Sequence, residues 1–185
     1  MSNLQIEVYV LGLLQTNVYL VSNRETKECV IIDPADRPDF IMGRIEEGGY
    51  LPKGILITHG HSDHIKAAPA LEEAYGLQRT MYETEREFDL IGFHWKVLYT
   101  PGHTADSCCY YLEKEKVLFS GDTVFRGTYG KTDPPTGSFD QIRESFQKKI
   151  FTLPDDVTAL PGHGEPTNIG WEKIYNMIIM DLDES

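Results

Sequence analysis

The heptapeptide Thr58-His59-Gly60-His61-Ser62-Asp63-His64 holds three of the six histidines in the chain. It follows a continuous apolar run at residues 55–57, which predicts a buried strand that ends at this point. His59 and His61 lie two apart in an extended segment and can point to the same side, whereas Asp63 and His64 stand where the next helix begins. One short loop with this spacing can therefore serve two metal ions.

Three later apolar runs also lead into glycine-containing turns that end in a candidate ligand. Residues 97–99 precede His103, residues 117–119 precede Asp122, and residues 157–160 precede His163. Open α/β sheets form their ligand crevices at the carboxyl ends of strands, so we expect these side chains to meet the heptapeptide there. Imidazoles and carboxylates bind zinc, iron or manganese, so the residue types do not determine which of these metals is bound.

The rest of the chain alternates between strand and helix patterns. Short apolar runs predict strands at residues 5–10, 18–21, 29–32 and 109–112, and apolar spacing predicts helices at 38–47 and 65–75. Ser138 and Gln141 have the spacing of a capping box, and Ile142, Phe146 and Ile150 form a stripe at helical period behind it. Strands on both sides of helices indicate an α/β layered sandwich, and no linker divides the chain, so one domain over residues 1–185 is expected.

Composition narrows the class of partner. Seventeen Lys and Arg against 29 Asp and Glu give a net charge of −12, which disfavours nucleic acid and anionic membranes as partners. No secretion signal or apolar run of membrane-spanning length is legible, so a cytoplasmic location is expected. The three cysteines, Cys29, Cys108 and Cys109, lack the spacing of a disulfide framework or a CxxC metal site and are predicted to be buried free thiols.

The HxHxDH heptapeptide with its distant His, Asp and His resembles the signature of the metallo-β-lactamase superfamily, and all seven positions are filled. The stretches at 17–20 and 33–34 also resemble an early strand and turn of that family. The resemblance implies an αβ/βα four-layer sandwich, with two mixed β-sheets flanked by helices and a dinuclear site between its halves. It implies that one metal is held by His59, His61 and His103, and the other by Asp63, His64 and His163, with Asp122 bridging them.

The same resemblance implies a reaction. Two divalent ions, zinc first and iron or manganese as alternatives, would provide a bridging hydroxide that attacks a thioester or ester, with Asp63 orienting it. Asp122 stands where β-lactamases with a cysteine ligand carry that cysteine, and residues 121–133 resemble the loop of the glyoxalase II group, which hydrolyses hydroxyacylglutathione. The catalytic candidates are thus Asp63 and Asp122, and the candidates for contact with the small-molecule substrate are Phe125, Arg126, Tyr129 and Lys131.

Lys131 matches a basic residue that contacts glutathione in that group. Asp133 replaces a tyrosine of full-length glyoxalase II, and only about 20 residues follow His163, which leaves no room for that enzyme's helical C-terminal domain. Weaker selection for the glutathione part of a substrate is therefore expected.

Two further readings stay open. A persulfide dioxygenase would use the same motif with one iron held by His59, His103 and Asp122, and a metal-binding protein without catalysis is the third class.

Asp33 is either a turn residue before proline or a hydrogen-bond acceptor for a ligand histidine. His94 fits no signature position and is predicted to be a structural or surface residue.

Overall fold

A computed structural model describes residues 2–133 and 135–183, and a five-stranded mixed sheet forms its first half. Its strands, in spatial order, are β1 (Leu4–Leu11), β2 (Thr16–Asn23), β3 (Glu28–Ile32), β4 (Leu51–Ile57) and β5 (Arg79–Met81). The first three strands pair antiparallel, whereas β3, β4 and β5 run parallel. The carboxyl ends of β3 and β4 consequently lie side by side.

A six-stranded mixed sheet forms the second half. In chain order, its strands and a separate small hairpin are β6 (Arg86–Leu90), β7 (Phe93–Tyr99), β8 (Cys108–Leu112), β9 (Val117–Gly121), the hairpin β10 (Val124–Phe125) and β11 (Thr128–Tyr129), then β12 (Thr158–Pro161) and β13 (Thr167–Asn168). The spatial order is β13-β12-β9-β8-β7-β6, and β9 and β12 pair in parallel. The carboxyl ends of β9 and β12 are therefore neighbours too.

In the part of the chain that the structure describes, six α-helices flank the sheets. They are α1 (Pro38–Gly48), α2 (Ser62–Ile65), α3 (Ala68–Tyr75), α4 (Phe139–Ser145), α5 (Ile169–Tyr175) and α6 (Ile178–Asp183), and a π-helical turn at Phe146–Ile150 extends α4. Within the described residues, the helices are too short or too polar to cross a bilayer.

Alternation along β2 divides the core into layers. Val18 and Leu20 face α1 and α3, whereas Tyr19 and Val21 face the second sheet and pack in a cluster that includes Trp95. On the outer face of the second sheet, buried side chains of β8 and β9 pack against α4, its π-helical turn and α5. The order helix, sheet, sheet, helix confirms the predicted four-layer α/β architecture.

The predicted helix at 65–75 was wrong in extent, because the chain forms α2 and then restarts as α3. Pro69 lies in the first turn of α3 and has no N–H to continue a preceding helix. The Ala67 N–H donates instead to the Pro34 carbonyl at 2.9 Å. Short elements that lack a clear periodic signal were not predicted, namely β5, β6, β10, β11, β13, α5 and α6.

Other local predictions are confirmed. Ser138 Oγ accepts a hydrogen bond from the Gln141 N–H at the start of α4, and the stripe behind it is fully buried. The three cysteines are free and buried.

Replacing Phe119 by alanine should destabilise the fold by about 3–5 kcal/mol. Its ring is fully buried between the sheets, with ring centroids 5.3 Å from Tyr19 and 6.0 Å from Trp95. Urea unfolding measures the loss. Val8→Ala, at a position that is 53% exposed on β1, is the control and should cost less than about 1 kcal/mol. Equal losses in the two variants would contradict the central position of Phe119.

Candidate metal centre

Three histidines converge from two strand ends to form the first ligand group. His59 follows β4, His61 is the residue before α2, and His103 follows β7. His61 Nδ1 lies 3.1 Å from His59 Nε2 and 3.0 Å from His103 Nε2. These nitrogens are close enough together to bind one ion.

A second group forms on the other side of the heptapeptide. His64 Nε2 lies 3.3 Å from His163 Nε2, and Asp63 Oδ2 lies 3.5 Å and 3.3 Å from those two atoms. The two groups together use every ligand position predicted from the sequence except Asp122.

Asp122 lies between the groups. Its Oδ2 atom is 3.5 Å from His103 Nε2 in the first group and 3.5 Å from His163 Nε2 in the second, and its Oδ1 atom is 3.4 Å from His64 Nε2. Burial raises the pKa of this carboxyl, but the surrounding histidines, His64 first, outweigh burial and lower it to about 2. Asp122 is therefore an ionised carboxylate shared by both groups.

Hydrogen bonds on the outer nitrogens orient the histidine rings. His103 Nδ1 donates to the Lys131 carbonyl at 2.7 Å, and His163 Nδ1 donates to the Leu14 carbonyl at 3.0 Å. A carbonyl can only accept, so the proton resides on Nδ1 and a neutral ring directs the lone pair of Nε2 into the centre. This tautomer is the one that binds a metal.

Asp33 supports one histidine of each group. Its Oδ2 accepts from His64 Nδ1 at 2.9 Å and from the Thr58 hydroxyl at 2.6 Å, while Oδ1 accepts from the Thr58 N–H at 2.8 Å. The Thr58 hydroxyl oxygen lies 3.1 Å from His59 Nδ1 and can accept its proton. Of the two predicted roles, the structure thus shows Asp33 as an acceptor for His64, and it does so from a backbone with φ +50°.

The donor set fits a cation. Asp122 Oδ1 is buried and has no hydrogen-bond partner among the described residues, an arrangement that is costly unless a positive charge lies against it. Burial lowers the pKa of His59, so that ring is neutral. For His64, burial also lowers the pKa, but Asp33 and Asp122 outweigh it and raise the value to about 10. A bound metal would displace that proton.

In the loop after β12, the backbone at Gly162 passes close to Asp122 and His64. A Cβ atom on Gly162 would lie 2.2 Å from Asp122 Oδ1 and 2.7 Å from His64 Cε1. The Gly162 N–H also donates to the Gly121 carbonyl at 2.8 Å. No side chain fits at residue 162 without moving the shared carboxylate.

The four candidate substrate contacts lie on or next to the β10–β11 hairpin, in different surroundings. The Phe125 ring centroid lies 6.2 Å from that of His163, and Lys131 lines a cleft beside His61 and His103. Arg126 Cζ lies 5.7 Å from the centroid of the Trp171 ring. The Tyr129 ring centroid lies 6.1 Å from that of Phe139. Phe125 and Lys131 therefore border the metal centre most directly.

His94, by contrast, is on β7 at the surface, where it pairs with Asp89 and Glu87. This position confirms its predicted surface role.

Several supporting groups were missed by sequence reasoning. Thr58 and the carbonyls of Leu14 and Lys131 hold histidines, and the Thr16 hydroxyl donates to Asp63 Oδ2 at 3.1 Å. A backbone carbonyl has no residue-type signal. Thr58 alone had one, because it is a hydroxyl residue directly before the first ligand.

The fold and this histidine and carboxylate arrangement agree with the comparison by sequence. The family model for the metallo-beta-lactamase superfamily matches residues 11–90 and 80–163, and the chain belongs to that superfamily of metallo-hydrolases. Among curated relatives, hydroxyacylglutathione hydrolase GloC of Haemophilus influenzae is 31% identical over an alignment of 206 positions that covers 94% of this chain and 97% of GloC. The resemblance to the superfamily and to its glyoxalase II members is thereby confirmed.

Solved structures of similar chains superpose closely on this one. BLEG-1, a B3 metallo-beta-lactamase, superposes with a TM-score of 0.90 at 29% identity, covering 95% of this chain and 99% of its own. ETHE1 from Myxococcus xanthus gives 0.86 at 28% identity, covering 94% and 83%. TTHA1623, solved in a di-iron-bound form, gives 0.83 at 30% identity, covering 93% and 99%.

Replacing Asp33 by alanine should weaken metal binding by roughly 10–100-fold, because His64 and Thr58 lose the acceptor that orients them. Competition with a chromogenic chelator measures the affinity. Asp36→Ala is the matched control: this carboxylate lies three residues later and accepts from Lys66 Nζ at 2.7 Å, at the surface. Wild-type affinity in Asp33→Ala would show that the histidines are oriented without it.

Proposed function

We propose that this protein is a dinuclear metal-dependent hydrolase of small acyl thioesters or esters, similar in activity to glyoxalase II and acting in the cytoplasm. The observation that carries the proposal is the pair of ligand groups that share the buried Asp122 carboxylate. Similarity to GloC over nearly the whole chain supports a thioester as the substrate class.

The metal ions that fit are divalent, with zinc as our first choice and iron or manganese as alternatives. Held in pairs, such ions lower the pKa of water and polarise a carbonyl group. One would be held by His59, His61 and His103, and the other by Asp63, His64 and His163, with Asp122 shared. The di-iron form of TTHA1623 supports a two-ion site in a chain of similar fold.

The chain's two central carboxylates have different access to solvent. The Asp63 side chain is 21% exposed, whereas that of Asp122 is 9% exposed. Asp63 is therefore the carboxylate that we assign to accept a hydrogen bond from the attacking water and orient it. Asp122 lies deeper, and we assign its negative charge to offset the positive charge of the two ions.

The cleft on the side of the first group would receive the substrate. His61, His103, Lys131 and Asp133 line it together with Pro135 and Thr136. We assign Lys131 to a carboxylate of the thiol portion, and Asp133 beside it disfavours a second one. Phe125, Arg126 and Tyr129 remain proposed contacts on the adjoining hairpin.

A persulfide dioxygenase is the second candidate, because ETHE1, a member of that activity class, is similar over most of this chain. It would use one iron held by His59, His103 and Asp122. In this protein Asp63, His64 and His163 also converge, with separations of 3.3–3.5 Å against 3.0–3.1 Å in the first group. Two complete groups favour two ions, and hence the hydrolase.

Covalent catalysis by a cysteine does not fit the surroundings of the thiols. Burial raises the pKa of the Cys29 thiol to about 12 and that of Cys109 to about 11, and it raises the pKa of Cys108 as well. A folded-state pKa far above neutrality means that the thiol, not the reactive thiolate, is present near pH 7.

Iodoacetamide at neutral pH should accordingly leave hydrolysis unchanged and add no mass to the folded protein. The same treatment in urea should add three carbamidomethyl groups, one for each free cysteine. Intact-mass spectrometry and a thioester assay give both readings. Loss of activity with a single adduct on the folded chain would point to a reactive cysteine.

The proposed function is tested by metal content and activity together. We expect two divalent ions per chain after reconstitution with zinc, and hydrolysis of lactoylglutathione and of a truncated lactoyl thioester. Asp122→Ala should lower activity by more than the roughly 10–100-fold typical of an outer hydrogen-bond partner, and should lower the metal content as well. Asp89→Ala, at an exposed carboxylate paired with His94, is the control and should keep both.

Elemental analysis and oxygen uptake decide between the two candidates. One iron per chain with persulfide-dependent oxygen consumption, and no thioester hydrolysis, would favour the dioxygenase. Full activity and metal content in Asp122→Ala would overturn the ligand assignment itself.

A further inference from the structure

The β10–β11 hairpin is joined to the metal centre at both of its ends. It begins two residues after the shared Asp122, and after it ends the Lys131 carbonyl accepts from His103 Nδ1. Between these points, the Phe125 ring faces that of His163. The position of the hairpin therefore sets one wall of the site.

The tip of the hairpin is held from the opposite side by α5 and the residues after it. The Gly127 N–H donates to both carboxylate oxygens of Glu172, at 3.1 Å each. Asn176 Nδ2 donates to the Thr128 carbonyl at 2.9 Å, and the Met177 N–H donates to the Gly127 carbonyl at 3.0 Å. The hairpin backbone is thus held by the side chains of Glu172 and Asn176 and by the Met177 N–H.

Glu172 is an unusual residue for this place, since its side chain is fully buried. Within residues 2–133 and 135–183 its hydrogen-bond donors are neutral: the Gly127 N–H, the Thr167 hydroxyl and Asn176 Nδ2, the last at 2.6 Å. A buried carboxylate is costly, and hydrogen bonds offset that cost only when several donors reach it. Removing the carboxylate would leave those donors unsatisfied.

The burial pattern along α5 also shows that Glu172 lies on the inward face of the helix. Ile169, Glu172 and Asn176 are buried and have the i, i+3, i+7 spacing of an inward face. An apolar residue at position 172 could pack there without the cost of burying a charge. It could not accept hydrogen bonds from the hairpin, from Thr167 and from Asn176 together.

We propose that Glu172 is a positioning residue that holds the β10–β11 hairpin against the metal centre and so determines how well the substrate is bound. This inference rests on the proposed hydrolase function for its substrate, and it adds a residue outside the ligand set. Glu172 acts through the Gly127 N–H and does not touch the substrate itself. The side chains that it places are Phe125 beside His163 and Arg126 over the Trp171 ring.

Four variants separate positioning from general stability. Glu172→Ala removes the acceptor, and Asn176→Ala keeps that acceptor but removes the bond to Thr128, one donor to Glu172 and the acceptor for the Ile178 N–H. Glu172→Gln keeps an oxygen for the Gly127 N–H, and its amide can donate to the Thr167 hydroxyl oxygen. Lys173→Ala is the control, because Lys173 anchors the same helix to Leu153 and Asp155, away from the hairpin.

In Glu172→Ala we expect the KM for a thioester to rise on the order of tenfold, with kcat changed far less and two ions retained. Asn176→Ala should shift KM in the same direction by less, and Glu172→Gln should restore it to near the wild-type value. Hydrogen exchange gives a reading that needs no activity: the Gly127 amide should exchange faster in Glu172→Ala and remain protected in Glu172→Gln. Lys173→Ala should lower the Tm without changing the KM or the exchange rate of the Gly127 amide.

Three results would overturn the proposal. One is unchanged exchange at Gly127 in Glu172→Ala, and a second is an unchanged KM there and in Asn176→Ala with only the Tm lowered. A loss of metal in Glu172→Ala would also count against it, by showing that Glu172 supports the ligands and not the wall. Absence of thioester and ester hydrolysis in the wild type would refute the proposed function, while faster Gly127 exchange with both ions retained would still support the positioning.

Discussion

The carboxylate of Asp33 accepts hydrogen bonds from the Thr58 N–H, the Thr58 hydroxyl and His64 Nδ1, and the metal centre is organised around these contacts. Asp33 follows β3 and Thr58 follows β4, which are parallel neighbours, so their carboxyl ends coincide at one edge of the first sheet. The bonds hold the start of the heptapeptide against that edge. From there, His59 and His64 are presented to the two ligand groups with their Nδ1 atoms against the Thr58 hydroxyl and the Asp33 carboxylate.

The second sheet adds the remaining ligands from a different direction. Its parallel pair, β9 and β12, delivers Asp122 and His163 at adjacent strand ends, and β7 delivers His103. Imidazole nitrogens and the ionised Asp122 carboxylate lie within 3.0–3.5 Å of one another, an arrangement that a bound cation would stabilise. The fold's stability and the affinity for cations are coupled at this place, because the packing of the two sheets brings the ligands together.

A ligand set of this kind does not select one reaction. Similar chains include one named a hydroxyacylglutathione hydrolase and one named a B3 metallo-beta-lactamase, and a fold by itself does not fix an activity. Selectivity must come from the walls around the ions. In this protein one wall is the β10–β11 hairpin, and the buried Glu172 fixes its tip through Gly127. The two sheets thus position the metal ligands. The β10–β11 hairpin, which is attached to α5, forms the wall that selects the substrate.

Much of this protein was legible in its sequence. The α/β class, the buried strand before the heptapeptide and the convergence of seven histidine and aspartate side chains follow from local apolar runs and ligand spacing, because both are short-range properties. Tertiary structure alone decided which groups hold those ligands: the carbonyls of Leu14 and Lys131 meet histidines 149 and 28 residues away. It also decided the bond from Gly127 to Glu172, 45 residues apart. Hydrogen bonds between distant segments form only once the sheets have packed, and a backbone carbonyl is the same in every residue, so neither leaves a pattern along the chain.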